Sequence, residues 1–196
     1  PVYKKIEKHL TEFGEDAASK LLTWADEAER YPPRLVQYDP WGRRIDEIQV
    51  CQAWKNYDAF SATNGIVAAA YERDYDEFSR IYQMALLYMF HPSSALASCP
   101  LAMTDGAARA IELYGDDELK KKAFKHLTSR DPKTFWTSGQ WMTEKIGGSD
   151  VSQSETIAKK TKSGFALYGT KWFTSATTSQ MSMTLARIEG APEGSK

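Results

Sequence analysis

One change of pattern constrains this chain more than any other. Up to Asp131-Pro132 the apolar residues recur at helical spacing, and beyond it they alternate. Phe78, Ile81, Tyr82, Ala85, Leu86 and Met89 repeat at i, i+3, i+4, i+7, i+8 and i+11, which predicts a helix over residues 75–90. Met181, Met183 and Leu185 alternate with Ser182, Thr184 and Ala186, which predicts a strand. The chain is therefore read as α+β, with an all-helical N-terminal domain over residues 1–133 and an incomplete antiparallel β-domain over residues 134–196. No internal repeat is visible.

Within the first part, Ile6, Leu10 and Phe13 mark a helix that Gly14 is expected to stop. A second helix over residues 17–29 ends at Tyr31-Pro32-Pro33, because proline disfavours helix at the residue before it. Residues 31–50 read as irregular, with turn chemistry at Asp39-Pro40-Trp41-Gly42. Helical pattern resumes near Gln52 and breaks at Asn64-Gly65. The run Ile81 to Phe90 is apolar on nearly all faces and reads as a buried core helix that His91-Pro92 ends. Another helix starts between Pro100 and Thr104 and closes at Gly115. Acids at 116–118 precede Lys120, Lys121, Lys122, Lys125 and His126, an order that suits the helix dipole, with Leu119, Ala123 and Leu127 facing inward. In the second part, residues 134–142 read as a strand, 156–161 and 165–168 as a hairpin joined by Lys162-Ser163-Gly164.

Composition removes several classes. Lys+Arg is 25 and Asp+Glu 26, so 25 − 26 leaves a formal charge of −1. That balance gives no bulk reason to expect nucleic acid or anionic membrane as partner. The first ten residues carry charge at every turn and do not resemble a signal peptide. The apolar run at 81–90 is far shorter than a membrane span. Cys51 and Cys99 are too few for a disulfide scaffold or a zinc site, which fits a reducing compartment.

The chemistry concentrates in two segments. Gln140-Trp141-Met142-Thr143-Glu144-Lys145-Ile146-Gly147-Gly148-Ser149-Asp150 takes a strand end into a loop with adjacent glycines and a serine. Such a loop lets backbone N–H groups approach a phosphate or pyrophosphate, although Gly-Gly-Ser-Asp by itself is a common turn. The dinucleotide spacing G-x-G-x-x-G is absent. Tyr168-Gly169-Thr170-Lys171-Trp172-Phe173-Thr174-Ser175 follows at the same kind of strand end. Its paired aromatics and hydroxyls offer a flat face and edge donors for a ring system, or an aromatic core strand running into a polar loop.

Together and in this order, W-M-T-E-K-I-G-G-S-D and G-T-K-W-F-T-S resemble the middle β-domain of the acyl-CoA dehydrogenases. Upstream, Leu113-Tyr114-Gly115-Asp116-Asp117-Glu118-Leu119-Lys120-Lys121 resembles the helix start that precedes that domain, and D-P-W-G-R-R looks like the AidB-type branch. The resemblance covers residues 50–190 and implies FAD as cofactor and a fatty acyl-CoA or fatty acid as partner. It implies that Gln140 and Trp141 belong to the cofactor site and that the Met142 backbone and the Thr143 hydroxyl meet the flavin ring. Gly148 and Ser149 would hold the pyrophosphate, with Ser149 also near the acyl-CoA. Phe173 would pack on the isoalloxazine, Thr174 would lie between, and Ser175 would donate near flavin N5. Gln140, usually aromatic in the family, and Lys145, in place of a common proline, depart from the pattern.

The reaction so implied is α,β-dehydrogenation of an acyl thioester, with a carboxylate base, hydride transfer to flavin N5 and a homotetramer as the assembly. The base is expected outside this chain, which reads as the front part of a longer one with its β-domain truncated. Glu144 is assigned a structural role at a strand end. Two rival readings stand beside this one: a non-catalytic flavoprotein that sequesters acyl chains, and a nucleic-acid-associated AidB-like protein, for which this segment lacks a basic patch. The expected location is cytoplasmic, or else the mitochondrial matrix. His9, His91 and His126 read as helix surface or caps. The acidic cluster Glu72, Asp74, Asp76 and Glu77 lacks calcium-loop spacing, and Arg43 and Arg44 read as turn-exposed. No G-x-S-x-G nucleophile elbow is present.

Overall fold

The structure, a computed structural model, describes residues 2–191. The chain divides into two compact units, Pro1–Trp136 and Thr137–Lys196.

The first unit is built from helices α1 (Val2–Ala17), α2 (Lys20–Arg30), α3 (Gln52–Thr63), the short α4 (Ala69–Glu72), α5 (Ser79–Phe90) and α6 (Ser98–Tyr114). Its centre is aromatic. Tyr57, Phe60 and Phe90 meet Phe13 and Trp24: Tyr57 lies edge-on to Phe90 at 5.7 Å and to Trp24 at 5.7 Å, and Phe13 tilts on Phe60 at 5.2 Å. The Tyr57 hydroxyl, fully buried, lies between the carbonyls of Leu21 (3.0 Å) and Ser93 (2.9 Å) and shares its one proton between them. That hydroxyl ties α2 and the turn after α5 to α3.

Several sequence expectations change here. Gly14 does not stop α1, which runs on to Ala17. In mid-helix this glycine lies close to Met89, whose sulfur would be 3.9 Å from an added Cβ. The segment expected to be irregular is an antiparallel hairpin, β1 (Arg34–Tyr38) with β2 (Arg44–Gln49), bulged between Val36 and Tyr38. The turn at 39–42 is as expected: Asp39 Oδ1 accepts the amides of Trp41 (3.0 Å) and Arg43 (2.9 Å), and Gly42 takes φ +82°. Arg43 and Arg44 are exposed and pair with Asp39 and Asp46.

Helix α5 starts at Ser79, later than predicted, after a 3₁₀ turn at Asp76–Phe78. It is not buried all round. Leu86 and Phe90 face the core, whereas Ile81 is 64% exposed and Tyr88 82%. The helix after Gly115 is capped by Asp116, whose carboxylate accepts the Leu119 amide at 2.8 Å. It widens into a π turn over Lys120–Phe124 before ending at Leu127. The wide turn shifts the inward stripe, so Ala123 and Leu127 are buried and Leu119 is not. The lysines on this helix face solvent. His126 and His91 sit near helix ends, on the Thr134 carbonyl and the Ser98 hydroxyl. His9 is half-buried rather than on the surface, held between the hydroxyl of Tyr82 and Asn64 Oδ1 (3.1 Å).

In the second unit, β3 covers only Ser138–Trp141 of the strand expected over 134–142. An Asx turn at Asp131, which accepts the amide of Lys133, holds the chain out of extended form before it. β3 pairs with β6 (Met181–Thr184), and β4 (Ile157–Thr161) lies between β5 (Gly164–Tyr168) and β7 (Arg187–Ile188). The antiparallel expectation holds for the β4–β5 hairpin, whereas β3–β6 and β4–β7 run parallel. No helix of the described residues is long and apolar enough to cross a membrane.

The two faces of α5 give opposite outcomes on truncation. Leu86→Ala is expected to cost about 2–5 kcal/mol in denaturant unfolding, because Leu86 is wholly buried. Ile81→Ala should stay within about 0.5 kcal/mol, as an exposed side chain does.

Candidate functional site

The two chemistry-bearing segments meet in the second unit. β3 delivers Gln140 and Trp141, and the loop after it carries 142–150. The loop between β5 and β6 carries 169–180. Gly139 lets the Trp141 indole fold back against the backbone, since an added Cβ would lie 2.5 Å from the indole nitrogen. From there Trp141 Nε1 donates to the Ser175 carbonyl at 2.9 Å. The Trp172 amide donates to the Thr143 carbonyl at 2.9 Å, and Lys171 Nζ reaches the Met142 carbonyl at 3.4 Å. Lys145 Nζ lies 4.9 Å above the Trp172 ring.

These bonds surround one buried carboxylate. Glu144 is 4% exposed and accepts four hydrogen bonds: from Lys171 Nζ (2.7 Å), the Thr156 hydroxyl (2.5 Å), and the amides of Glu155 (2.6 Å) and Thr156 (3.2 Å). Its own amide and carbonyl exchange hydrogen bonds with Gly147 at 3.0 and 3.1 Å, closing the turn that leads to Gly148. Burial pushes the Glu144 carboxyl upward, but the Lys171 ammonium, the Thr156 hydroxyl and the two amides outweigh it and hold the pKa at about 2. Glu144 is thus held as an anion at neutral pH with both oxygens engaged, an arrangement that suits a structural role better than a general base.

The remaining predicted residues are arranged around this centre. Gly148 lies against Thr143, whose Cγ2 and Oγ1 would be 2.8 and 2.9 Å from an added Cβ. Gly147 spends its amide on Glu144, so it does not serve as an anion donor. The amides of Gly148 and Ser149 enter no hydrogen bond among the described residues. Ser149 opens on a groove of about 760 Å³ shared with Ser152, Ser154, Leu185 and Arg187. Thr174 and Trp141 line a second groove of about 430 Å³ with Lys171 and Thr184. Gln140 is exposed, opposite Met183 on β6, and Ser175 is exposed with its carbonyl engaged by Trp141.

Phe173 is the most unusual of the set. It is 86% exposed and holds φ +57°, a left-handed conformation that a bulky aromatic adopts only at a cost. An apolar ring held outward by a strained backbone presents a flat receiving surface. Thr174 follows it in the chain, Trp172 before it bonds the Thr143 carbonyl, and the loop beyond Thr143 carries the two amides that follow Gly147. This combination suits a planar ring system carrying a phosphate. No group of His, Cys, Asp and Glu suited to a metal ion occurs among the described residues.

Sequence reasoning picked out both loops, but it missed Lys171 and Thr156, which tie them together. Lys171 stands inside the second motif, but nothing local to it shows a partner 27 residues away.

Helices followed by small sheets, with these two loops joined at the strand ends, define a class, and comparison with known proteins agrees. The chain belongs to the acyl-CoA dehydrogenase family. Within that family, residues 2–132 match the adaptive response protein AidB N-terminal domain. Acyl-CoA dehydrogenase family member 11 of Caenorhabditis elegans is 43% identical over 192 residues, 95% of this chain and 31% of that protein. The putative acyl-CoA dehydrogenase AidB of Escherichia coli (strain K12) is 30% identical over 168 residues, 81% of this chain and 31% of its own length. Among solved structures, the apo form of Bd2924 matches with a TM-score of 0.93 and 57% identity, over 97% of this chain and 39% of that one. C. elegans ACDH-11 in complex with C11-CoA matches with a TM-score of 0.89 and 43% identity, over 95% and 32% respectively. The chain spans about a third of the length of the curated relatives it matches.

Two outcomes follow for stability. Because the folded pKa of Glu144 lies below its ordinary value of 4.5, its stabilisation is complete above about pH 4.5. It is lost as pH falls toward about 2. Acid titration followed by tryptophan fluorescence should show this loss, and Glu144→Gln should flatten it. Phe173→Gly should leave the thermal midpoint unchanged or raised, since glycine relieves a left-handed backbone worth about 1 kcal/mol.

Proposed function

We propose that this chain supplies the flavin-facing loops of an FAD-dependent acyl-CoA dehydrogenase-like protein that acts on a fatty acyl-CoA. The observation that carries this reading is Phe173, an exposed aromatic kept at positive φ next to Thr174 in the chain.

In this reading Phe173 packs on the isoalloxazine, and the Met142 backbone with the Thr143, Thr174 and Ser175 hydroxyls meets the ring edge. Gln140 and Trp141 frame the strand end that the ring approaches. The free amides of Gly148 and Ser149 hold the pyrophosphate, and the Ser149 hydroxyl faces the groove that takes part of the acyl-CoA. Bound FAD supplies a hydride acceptor for α,β-dehydrogenation of the acyl thioester. The chain's own contribution is to orient that acceptor, to cover one of its faces and to keep water from it. The proton at the α-carbon needs a carboxylate other than Glu144, both of whose oxygens are engaged. The relative in complex with C11-CoA supports a fatty acyl thioester as the substrate class.

Anaerobic addition of fatty acyl-CoAs of graded chain length to the FAD-loaded protein tests this directly. The visible flavin band should bleach with at least one of them. A flavin that stays oxidised with every chain length, while binding the thioester tightly, would instead support sequestration of acyl chains. Phe173→Ala should weaken FAD binding by about tenfold, as the loss of one stacked ring does, measured by quenching of flavin fluorescence.

A further inference from the structure

We infer that Glu144 and Lys171 form a positioning pair that sets the flavin site before any ligand arrives, by fixing three separate chain segments on one buried carboxylate. This inference rests on the flavin reading above and adds to it two residues that act by supporting the loops.

Three loops must be held in register for the site to exist. The ring-edge segment 142–143 precedes Glu144 directly. The phosphate-facing loop 148–154 starts at the turn closed by Glu144 and Gly147 and ends at Glu155 and Thr156, whose amides both donate to the Glu144 carboxylate. The aromatic segment 173–175 begins two residues after Lys171, whose ammonium bonds Glu144 Oε1 and reaches the Met142 carbonyl. All three loops are therefore tied to a single ion pair, two of them within two residues of it and the third through the Gly147 turn and the amides of Glu155 and Thr156. Its side chains are 9% exposed for Lys171 and 3% for Glu144. Elsewhere in the described residues the ion pairs stand at the surface, with side-chain exposures from 13% to 87%.

The chemistry of the partners makes the clamp specific. Each carboxylate oxygen accepts, and all of the groups facing it donate. A glutamine in the same place turns one oxygen into an NH₂ that faces the Glu155 amide, donor against donor. A shorter aspartate withdraws the carboxylate from Lys171 and Thr156. Replacing Lys171 by methionine leaves a buried carboxylate without its countercharge, which is costly where water cannot reach it. Removing both charges together is milder than removing either one, because no uncompensated charge stays behind.

The test uses the full chain and compares Glu144→Gln, Lys171→Met, the double variant and Ala158→Gly. The last truncates a buried residue of β4 in the same unit without touching the pair, so it serves as a control for general destabilisation. FAD affinity and the shape of the bound flavin absorption band are measured well below each thermal midpoint. Each single charge variant should lose about tenfold or more in affinity, with a band resembling free flavin, as misplacement of a site by its support does. The double variant should recover part of that loss, and Ala158→Gly should bind like wild type. The positioning role is overturned if the charge variants bind FAD with unchanged affinity and band, or if Ala158→Gly loses as much. A wild-type chain that takes up no FAD would overturn the flavin reading instead. The clamp would then stand on amide exchange of the free protein, where Glu144→Gln should speed exchange of Gly147, Glu155, Thr156 and Trp172 together, and unchanged protection at these sites would overturn it.

Discussion

The buried carboxylate of Glu144 is the constraint on which the second unit depends. A charge removed from water in this way is tolerated only when donors surround it. Here the donors come from a lysine, a hydroxyl and two backbone amides on different loops. The geometry of three irregular segments is therefore set by the needs of one anion rather than by sheet pairing. This explains how a unit with short strands, of which β7 has two residues, keeps its loops in order.

The helical unit solves a different problem. Its aromatic centre is held by area and shape, although among the described residues the Ser61 hydroxyl is buried in this unit without a hydrogen-bond partner. The Tyr57 hydroxyl, shared between the carbonyls of Leu21 and Ser93, is one of several polar groups in that interior, beside Gln83 and Thr104. Near the end of this unit the Trp136 ring stacks on His126 at 4.4 Å and its amide donates to the His126 carbonyl. The helical unit thus closes on its own last residues before the strands begin.

Much of this was legible in the sequence, and the parts that were not share a cause. Periodicity gave α3, α6 and the β4–β5 hairpin because each buries a face in step with its own repeat. The hairpin at 34–49 escaped notice because nearly every residue of it is exposed, so no alternation of polarity marks it. Its turn was readable because Asp39 and Gly42 act locally. Helix α5 misled in the other direction, since apolar residues on a helix do not report which of its faces meets the core. Strand sense was invisible as well, because alternation is the same for parallel and antiparallel pairing. The loops of the site could be found by motif, whereas the pair that organises them is separated by 27 residues and has no local signature.

The hairpin of β1 and β2 carries a further consequence. Two strands bonded only to each other bury too little to be stable alone, so their order is borrowed from α2 and α3 at the two ends. Opening there breaks the ladder between the two strands and disturbs none of the aromatic core. The turn around Trp41, 89% exposed, is consequently where a protease would first enter the helical unit. A cut at that point would leave two fragments still packed against one another through Tyr57 and its neighbours.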